Sequence, residues 1–330
     1  VKPTLLFATT YEEKDYPFLR QIPVKSDHWC RFQFTTDPDH PNLFGCVVYD
    51  NITTTITPDC PRSHCLLITG EPPSLRTYRT RFTSQFGAVR TSHADLRHFN
   101  KTLDHEGQPW YYGLGESDVH GSAVDYDFLC SLPRPTKPRR ISVIASNKVT
   151  TEDHRQRLRF VEQLKAVFPD ELDVFGRGIR SVRDKADAIY PYDYHIVLEN
   201  DHSPYYVSEK LTDSFLGWAF PLYSGSSHAD ALLPQGSFER IDMHRPEESI
   251  ETIRQILRAD VAENRFEIYA EARKKVIRDL NLFSIIEKHF SGLATHASRE
   301  KSIIYPKNKT FHQIIAQLRR GGFNMLRKKM

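Results

Sequence analysis

The sequence predicts an α/β fold in two domains. Three observations carry that prediction: a length of 330 residues, a proline-rich basic segment near the middle, and strand–helix–strand alternation beyond it. A chain of 330 residues can bury two cores. Its 39% hydrophobic and 26% charged residues are ordinary for a globular protein. A formal net charge of +3 is too small to argue for a nucleic-acid partner, so none is expected. The chain has no apolar run of the ~18 residues needed to span a membrane. The first residues, VKPTLLFATTYEEKDY, lack the charged start, apolar centre and small-residue cleavage site of a signal peptide. The cysteines are Cys30, Cys46, Cys60, Cys65 and Cys130, an odd number without metal-site spacing. They read as reduced thiols, which points to a cytoplasmic protein.

The first domain is expected over residues 1–136. Thr4 to Thr9, Leu43 to Tyr49 and Cys65 to Thr69 are apolar runs of strand length. The third ends on Gly70-Glu71-Pro72-Pro73, a carboxylate on a rigid turn just past a strand. In an α/β sheet that position is the rim that faces ligands. Phe86 to Val89 and Thr91-Ser92 suggest a fourth strand and a turn. Gln108 to Glu116 (QPWYYGLGE) joins an aromatic cluster to two glycines. Gly113-x-Gly115 lacks the rest of a dinucleotide fingerprint, and the aromatics suit core packing better than a sugar face.

Composition changes at Ser131 to Arg140, where three prolines and four basic residues read as a linker. The second domain is expected over 137–304. Ile141 to Ala145 is a strand ending in Ser146-Asn147, and an amphipathic helix follows from about Asp153 to Phe168. Leu158, Val161, Leu164 and Val167 give that helix its apolar stripe, while Arg155, Arg157 and Arg159 crowd its first turns. Leu172 to Phe175 is the next strand, ending on Gly176-Arg177-Gly178. His195 to Leu198 is another, followed by Glu199-Asn200 and a loop with Tyr205-Tyr206. Ser208 is a good N-cap for a helix that opens with Glu209-Lys210 and buries Leu211, Phe215 and Trp218. Phe220 to Tyr223 starts a further strand, which Gly225 turns. A helix near Glu247 to Arg258 and long helices from about Asp260 to Glu287 continue the series, which reads as a Rossmann-like βαβ domain. The tail, 305–330, alternates apolar and basic residues and would suit either an anionic membrane face or packing on the first domain.

Lys210 points to an anionic ligand. The helix macrodipole disfavours a lysine in a first turn. Free N–H groups and a cation together suit a diphosphate beyond the carboxyl end of a strand. Glu209 beside it can hold a sugar hydroxyl or face positive charge developing on a sugar carbon.

This stretch resembles the donor-binding signature of the family-10 fucosyltransferases (α-1,3/1,4-fucosyltransferases). The matching residues are Glu199-Asn200, Tyr206-Val207-Ser208-Glu209-Lys210-Leu211, Pro221-Leu222 and Gly225-Ser226. Val197-Leu198 stands where the family usually has aromatics. Ser146-Asn147, Arg157 and Asp173-Val174-Phe175-Gly176-Arg177 are similar to further family motifs. The resemblance covers roughly 141–242 well and the first domain thinly.

The resemblance implies a GT-B type fold, two Rossmann-like domains facing across a cleft. It also implies an inverting reaction with GDP-L-fucose as donor and an oligosaccharide or surface-polysaccharide acceptor. Arg157 and Lys210 would then bind the diphosphate, with Glu199, Asn200, Tyr206, Ser146, Asn147 and Gly176 shaping the donor pocket. Glu209 would be the second-lip carboxylate at the sugar. Thr69 to Ser74 looks like the family's short N-terminal motif, which makes Glu71 the expected base, in reach only when the cleft is occupied and shut.

Two D-x-D triplets, Asp37-Pro38-Asp39 and Asp125-Tyr126-Asp127, lie outside the donor half, and no metal ligand is expected. No essential cofactor is expected either, though Mn or Mg stimulation is compatible with two basic side chains doing the ion's work. A protein on the inner membrane face, held there by its tail, fits these readings. Two alternatives stay open: the same fold with another nucleotide sugar, and a non-catalytic nucleotide-sugar binding protein.

Overall fold

A computed structural model describes residues 2–25, 31–147, 149, 152–294 and 300–308. It contains two parallel sheets. The first has six strands: β1 (Thr4–Thr9), β2 (Gln33–Thr35), β3 (Leu43–Tyr49), β4 (Cys65–Ile68), β5 (Ala88–Thr91) and β6 (Lys101–Leu103), in the order β2-β1-β3-β4-β5-β6. The second has β7 (Arg139–Ile144), β8 (Leu172–Phe175), β9 (Tyr192–Leu198), β10 (Phe220–Ser224) and β11 (Glu239–Arg240), in the order β11-β10-β9-β7-β8. The helices are α1 (Thr80–Thr83), α2 (Tyr126–Ser131), α3 (Glu152–Val167), α4 (Ala186–Ile189), α5 (Glu209–Leu216), α6 (Ala229–Leu232), α7 (Pro246–Arg258), α8 (Val261–Asn264), α9 (Phe266–Arg278) and α10 (Leu282–Ser291). These are two parallel-sheet α/β domains, as the fold class predicts.

Strands β3 and β9 are almost wholly buried, which is why they read as continuous apolar runs rather than alternating ones. In the first sheet, alternate residues serve opposite faces. Leu6, Cys46, Val48 and Leu67 pack on Phe82 and Phe86, whereas Leu5, Phe7, Val47 and Leu66 pack on Leu282, Phe283, Ile286 and Phe290.

The packing departs from the expected boundaries in both directions. Helix α10 belongs by sequence to the second domain, yet its apolar face covers the first sheet. Each fully buried side chain of that size contributes roughly 1.5–3 kcal/mol. Gly45 on β3 makes the seat, because a Cβ there would lie 2.2 Å from the Phe290 ring. Ile304 also returns, pairing with Ile56 through Ile304 N–H to Ile56 O at 3.0 Å and the reciprocal bond at 3.1 Å. Conversely, Trp110, Tyr112, Tyr126 and Leu129 join the core of the second domain. The aromatic cluster at 110–112 is therefore largely core. Gly113, with φ +67°, turns the backbone there, and Gly113, Leu114 and Gly115 N–H all donate to the Asp184 carboxylate, at 2.7, 2.7 and 3.0 Å. Of the expected basic tail, residues 309–330 lie outside the described residues. Among the described residues no helix is long and apolar enough to cross a membrane.

The strand orders locate the ligand crevices. In the second sheet the chain leaves β7 toward β8 on one side and β9 toward β10 on the other. The switch point therefore lies between β7 and β9, and ligands bind beyond the carboxyl ends of such strands. In the first sheet the equivalent point lies between β1 and β3. Loops at these two rims meet. The Ser74 N–H donates to Asp201 at 3.1 Å, and His228 Nε2 lies 2.9 Å from Asp104.

Candidate active site

The dipeptide Glu199-Asn200 follows β9 and organises two cations, Arg157 and Lys210. Glu199 is wholly buried. Its carboxylate accepts from Ser208 N–H at 2.9 Å, from Ser208 Oγ at 2.6 Å and from Lys210 Nζ at 3.4 Å. Ser208 caps α5 by accepting from Lys210 N–H at 3.2 Å, and Lys210 Nζ donates back to Ser208 Oγ at 3.1 Å. Asn200 serves the other cation, accepting a short hydrogen bond from Arg157 Nη1. Arg157 Nη2 donates to Ser146 O at 3.0 Å and to Ser146 Oγ at 3.2 Å.

Arg157 is 3% exposed. Among the described residues its partners are neutral oxygens, and its Nε has no hydrogen-bond partner. Burial pushes its guanidinium below the usual range. A buried cation without a carboxylate is costly, and the arrangement is suited to receiving an anion.

Facing this side across the cleft is Glu71, at the end of β4. The Tyr11 hydroxyl donates to its carboxylate at 3.4 Å, and His93 Nε2 holds its backbone carbonyl at 2.8 Å. Burial pushes the Glu71 carboxyl above its ordinary range; Arg76 opposes the shift, while Asp50 and Glu209 add to it. Glu209 goes the other way. Burial alone would raise it, but Lys185 and Lys210 hold it down to about 2. Lys185 Nζ sits 3.1 Å from Glu209 and 2.8 Å from the buried Asp213, beneath the Tyr111 ring. The two lips thus carry carboxylates of opposite bias, a basic one and one fixed as an anion, which is how acid–base roles divide between paired carboxylates.

The other expected donor residues separate by role. Ser146 and Asn200 hold Arg157, Glu199 holds Lys210, and Tyr206 is buried with Glu209 and Glu199 acting on its hydroxyl. Asn147 is exposed, and its side chain lies against Gly178, where a Cβ would come 2.2 Å from Nδ2. Gly176 has φ +136°, and a Cβ there would lie 1.9 Å from Ala145 O. It lets the turn after β8 approach the end of β7 and presents no side chain to a ligand. Members of both D-x-D triplets accept backbone N–H groups: Asp37 from Asp39, Asp125 as the cap of α2, and Asp127 from the distant Val24 and Lys25.

Sequence reasoning missed Lys185, Asp213, Tyr11 and Glu106. Glu106 is buried beside the rim, accepting from Thr69 Oγ1 and from Ser92 N–H and Oγ at 3.0 and 3.1 Å. Burial pushes its carboxyl up to about 8, with those donors opposing. Between about 4.5 and 8 the folded chain keeps a proton that the unfolded chain has lost. Stability should therefore fall as pH rises through that window. Glu106→Gln should flatten this slope, as read by urea unfolding at pH 5 and pH 8. An unchanged slope would place the titration elsewhere.

The family model for glycosyltransferase family 10 (fucosyltransferase), C-terminal part, matches residues 134–299. Among solved structures, an alpha1,3-fucosyltransferase aligns at 13% identity over 90% of this chain and 93% of its own, with TM-score 0.49. An alpha1,3-fucosyltransferase with GDP-fucose aligns at 15% identity over 90% and 94%, with TM-score 0.46. TarM aligns at 12% identity over 77% and 51%, with TM-score 0.41. No curated protein sequence matches the chain. The family match takes in strands β7 to β11 and every donor-side residue described above, about half of the 330 residues, and by it the chain belongs to glycosyltransferase family 10, the fucosyltransferases.

Proposed function

We propose that this protein moves L-fucose from GDP-fucose to a hydroxyl of an oligosaccharide or surface-polysaccharide acceptor, with inversion at the anomeric carbon. The observation that carries this reading is Arg157, a buried cation among neutral acceptors at the switch point of the second sheet, one strand from Lys210. In the proposed step the acceptor oxygen attacks the anomeric carbon as its bond to the diphosphate oxygen breaks. The acceptor proton passes to Glu71, whose raised pKa suits a base. Charge leaving on the diphosphate meets Arg157 and Lys210, and Glu209, held anionic, faces the oxocarbenium-like sugar. Asn200 and Ser146 act by holding Arg157, Glu199 by holding Lys210, and Tyr206 by shaping the donor pocket. The two basic side chains take the place of an ion at the diphosphate, so the step is proposed to need no metal.

Calorimetric titration with GDP, UDP, ADP and CDP tests the donor class, and GDP is expected to bind most tightly. A preference for UDP would favour the same fold with another nucleotide sugar. Lys210→Ala should weaken GDP binding by about 1.5–3 kcal/mol, the scale of a lost charge-assisted hydrogen bond. Product anomeric configuration, read by NMR, tests inversion; a product that keeps the donor configuration would end that part of the reading.

A further inference from the structure

The geometry points to a divalent transition-metal site of zinc type, built by Asp153, His202 and His244, outside the groups that handle the diphosphate. Three elements supply the ligands: the first turn of α3, the loop after β9 and the loop between β11 and α7. One ligand atom from each residue lies within 4.8 Å of the other two. His202 Nδ1 is 3.8 Å from one Asp153 oxygen, and His244 Nε2 is 3.6 Å from the other. Both separations exceed hydrogen-bond length, so the groups converge on a common point without bonding one another.

A second observation is independent of that spacing. His202 Nδ1 is buried with no hydrogen-bond partner among the described residues. Its other nitrogen, Nε2, faces Ser224 Oγ at 3.4 Å. A ring whose Nε2–H is directed at a serine oxygen presents the lone pair of Nδ1 to the centre, the outer-shell arrangement that metal-bound imidazoles require. Arginines nearby are engaged elsewhere: Arg240 pairs with Asp230 at 2.6 Å, and Arg245 lies 3.5 Å from Glu248.

Two imidazoles and one carboxylate favour zinc-type ions over magnesium, which prefers an all-oxygen shell. The three residues also line a cavity of about 530 Å³, which leaves room for water at the remaining coordination positions. Bound there, the ion would clip three loops together. One of them carries Asn200, and Asp153 stands one helical turn before Arg157, so the clip would fix the frame from which Arg157 is held. Sequence spacing could not reveal the site, because His202 lies 49 positions after Asp153 and His244 lies 42 positions after His202.

The test is calorimetric titration of the full chain, treated with EDTA and dialysed, with Zn²⁺ and separately with Mg²⁺. One equivalent of Zn²⁺ is expected to bind, with Mg²⁺ at least ~100-fold weaker. His244→Ala, at an exposed position, should fold normally and bind Zn²⁺ at least ~10-fold more weakly, as should His202→Ala. Zn²⁺ should raise the melting temperature of the parent protein and not that of His244→Ala. Co²⁺ substitution adds a spectroscopic readout, its visible bands vanishing in the variants. The proposal is overturned if the parent binds no Zn²⁺, or if both variants bind it as the parent does.

Discussion

Glu71→Gln is expected to lower kcat by about 10²- to 10⁴-fold, the loss that follows removal of a positioned general base. It should leave GDP affinity within about twofold, since Glu71 lies on the first domain while Arg157 and Lys210 lie on the second. Glutamine keeps the shape and an acceptor for the Tyr11 hydroxyl, and His93 holds the backbone carbonyl whatever the side chain. The pH profile separates a base from a brace. Burial holds the Glu71 carboxyl above its ordinary 4.5, so in the parent enzyme kcat/KM should fall on acidification at a pH above that value. The variant should lose this acid limb. Glu106 and Asp213 also have raised carboxyls, but Glu106 is buried under Thr69 and Ser92, which donate to it, and Asp213 is buried against Lys185. A Glu71→Gln enzyme with parental turnover and an intact acid limb would move the base elsewhere, and equal losses in turnover and GDP binding would make Glu71 a structural carboxylate.

The parts of the molecule that could be read from the sequence are those whose signal is local. Strands β1, β3 and β8 have the bounds expected; β3 is the plainest, because a strand buried on both faces in a parallel sheet is a continuous apolar run. The cap at Ser208 and the opening of α5 at Glu209 were equally legible, since capping chemistry lies within a few residues. Strands β2, β6 and β11 are two or three residues long and only partly buried, too short for any periodicity. The destination of α10 was hidden for another reason: an apolar face specifies that a helix is covered, not which sheet covers it. Trp218 was expected on the buried face of α5, yet it lies just past the helix with φ +58°, stacking on Phe266 and under the Arg273 guanidinium. In the site, Glu199, Asn200 and Lys210 could be read because they flank one strand–helix joint. Lys185 could not. It sits in a run of charged residues that looks like solvated loop, and only the packing of α4 beside α5 turns it between Glu209 and Asp213.

Arg157→Met should produce opposite effects on binding and stability. GDP affinity is expected to fall by about 2–4 kcal/mol, roughly 30- to 1000-fold, because a guanidinium can give the diphosphate paired, charge-assisted hydrogen bonds that no apolar side chain replaces. The free protein should melt at the same temperature or higher. Arg157 is buried without a carboxylate among its described partners, so the folded state bears the cost of holding its charge away from water. Methionine fills the space of the aliphatic stem, and Asn200 and Ser146, both partly exposed, can turn to water. Lys210 supplies the contrast: its Nζ already lies against Glu199 and Glu209, so removing it leaves a buried carboxylate without its cation and should lower stability as well as binding. One cation is balanced by carboxylates in the free protein, and the other has only neutral oxygens among its described partners. A melting temperature that drops by about 5 °C or more in Arg157→Met, with GDP binding intact, would make Arg157 a brace between β7 and β9 and leave the diphosphate to other groups.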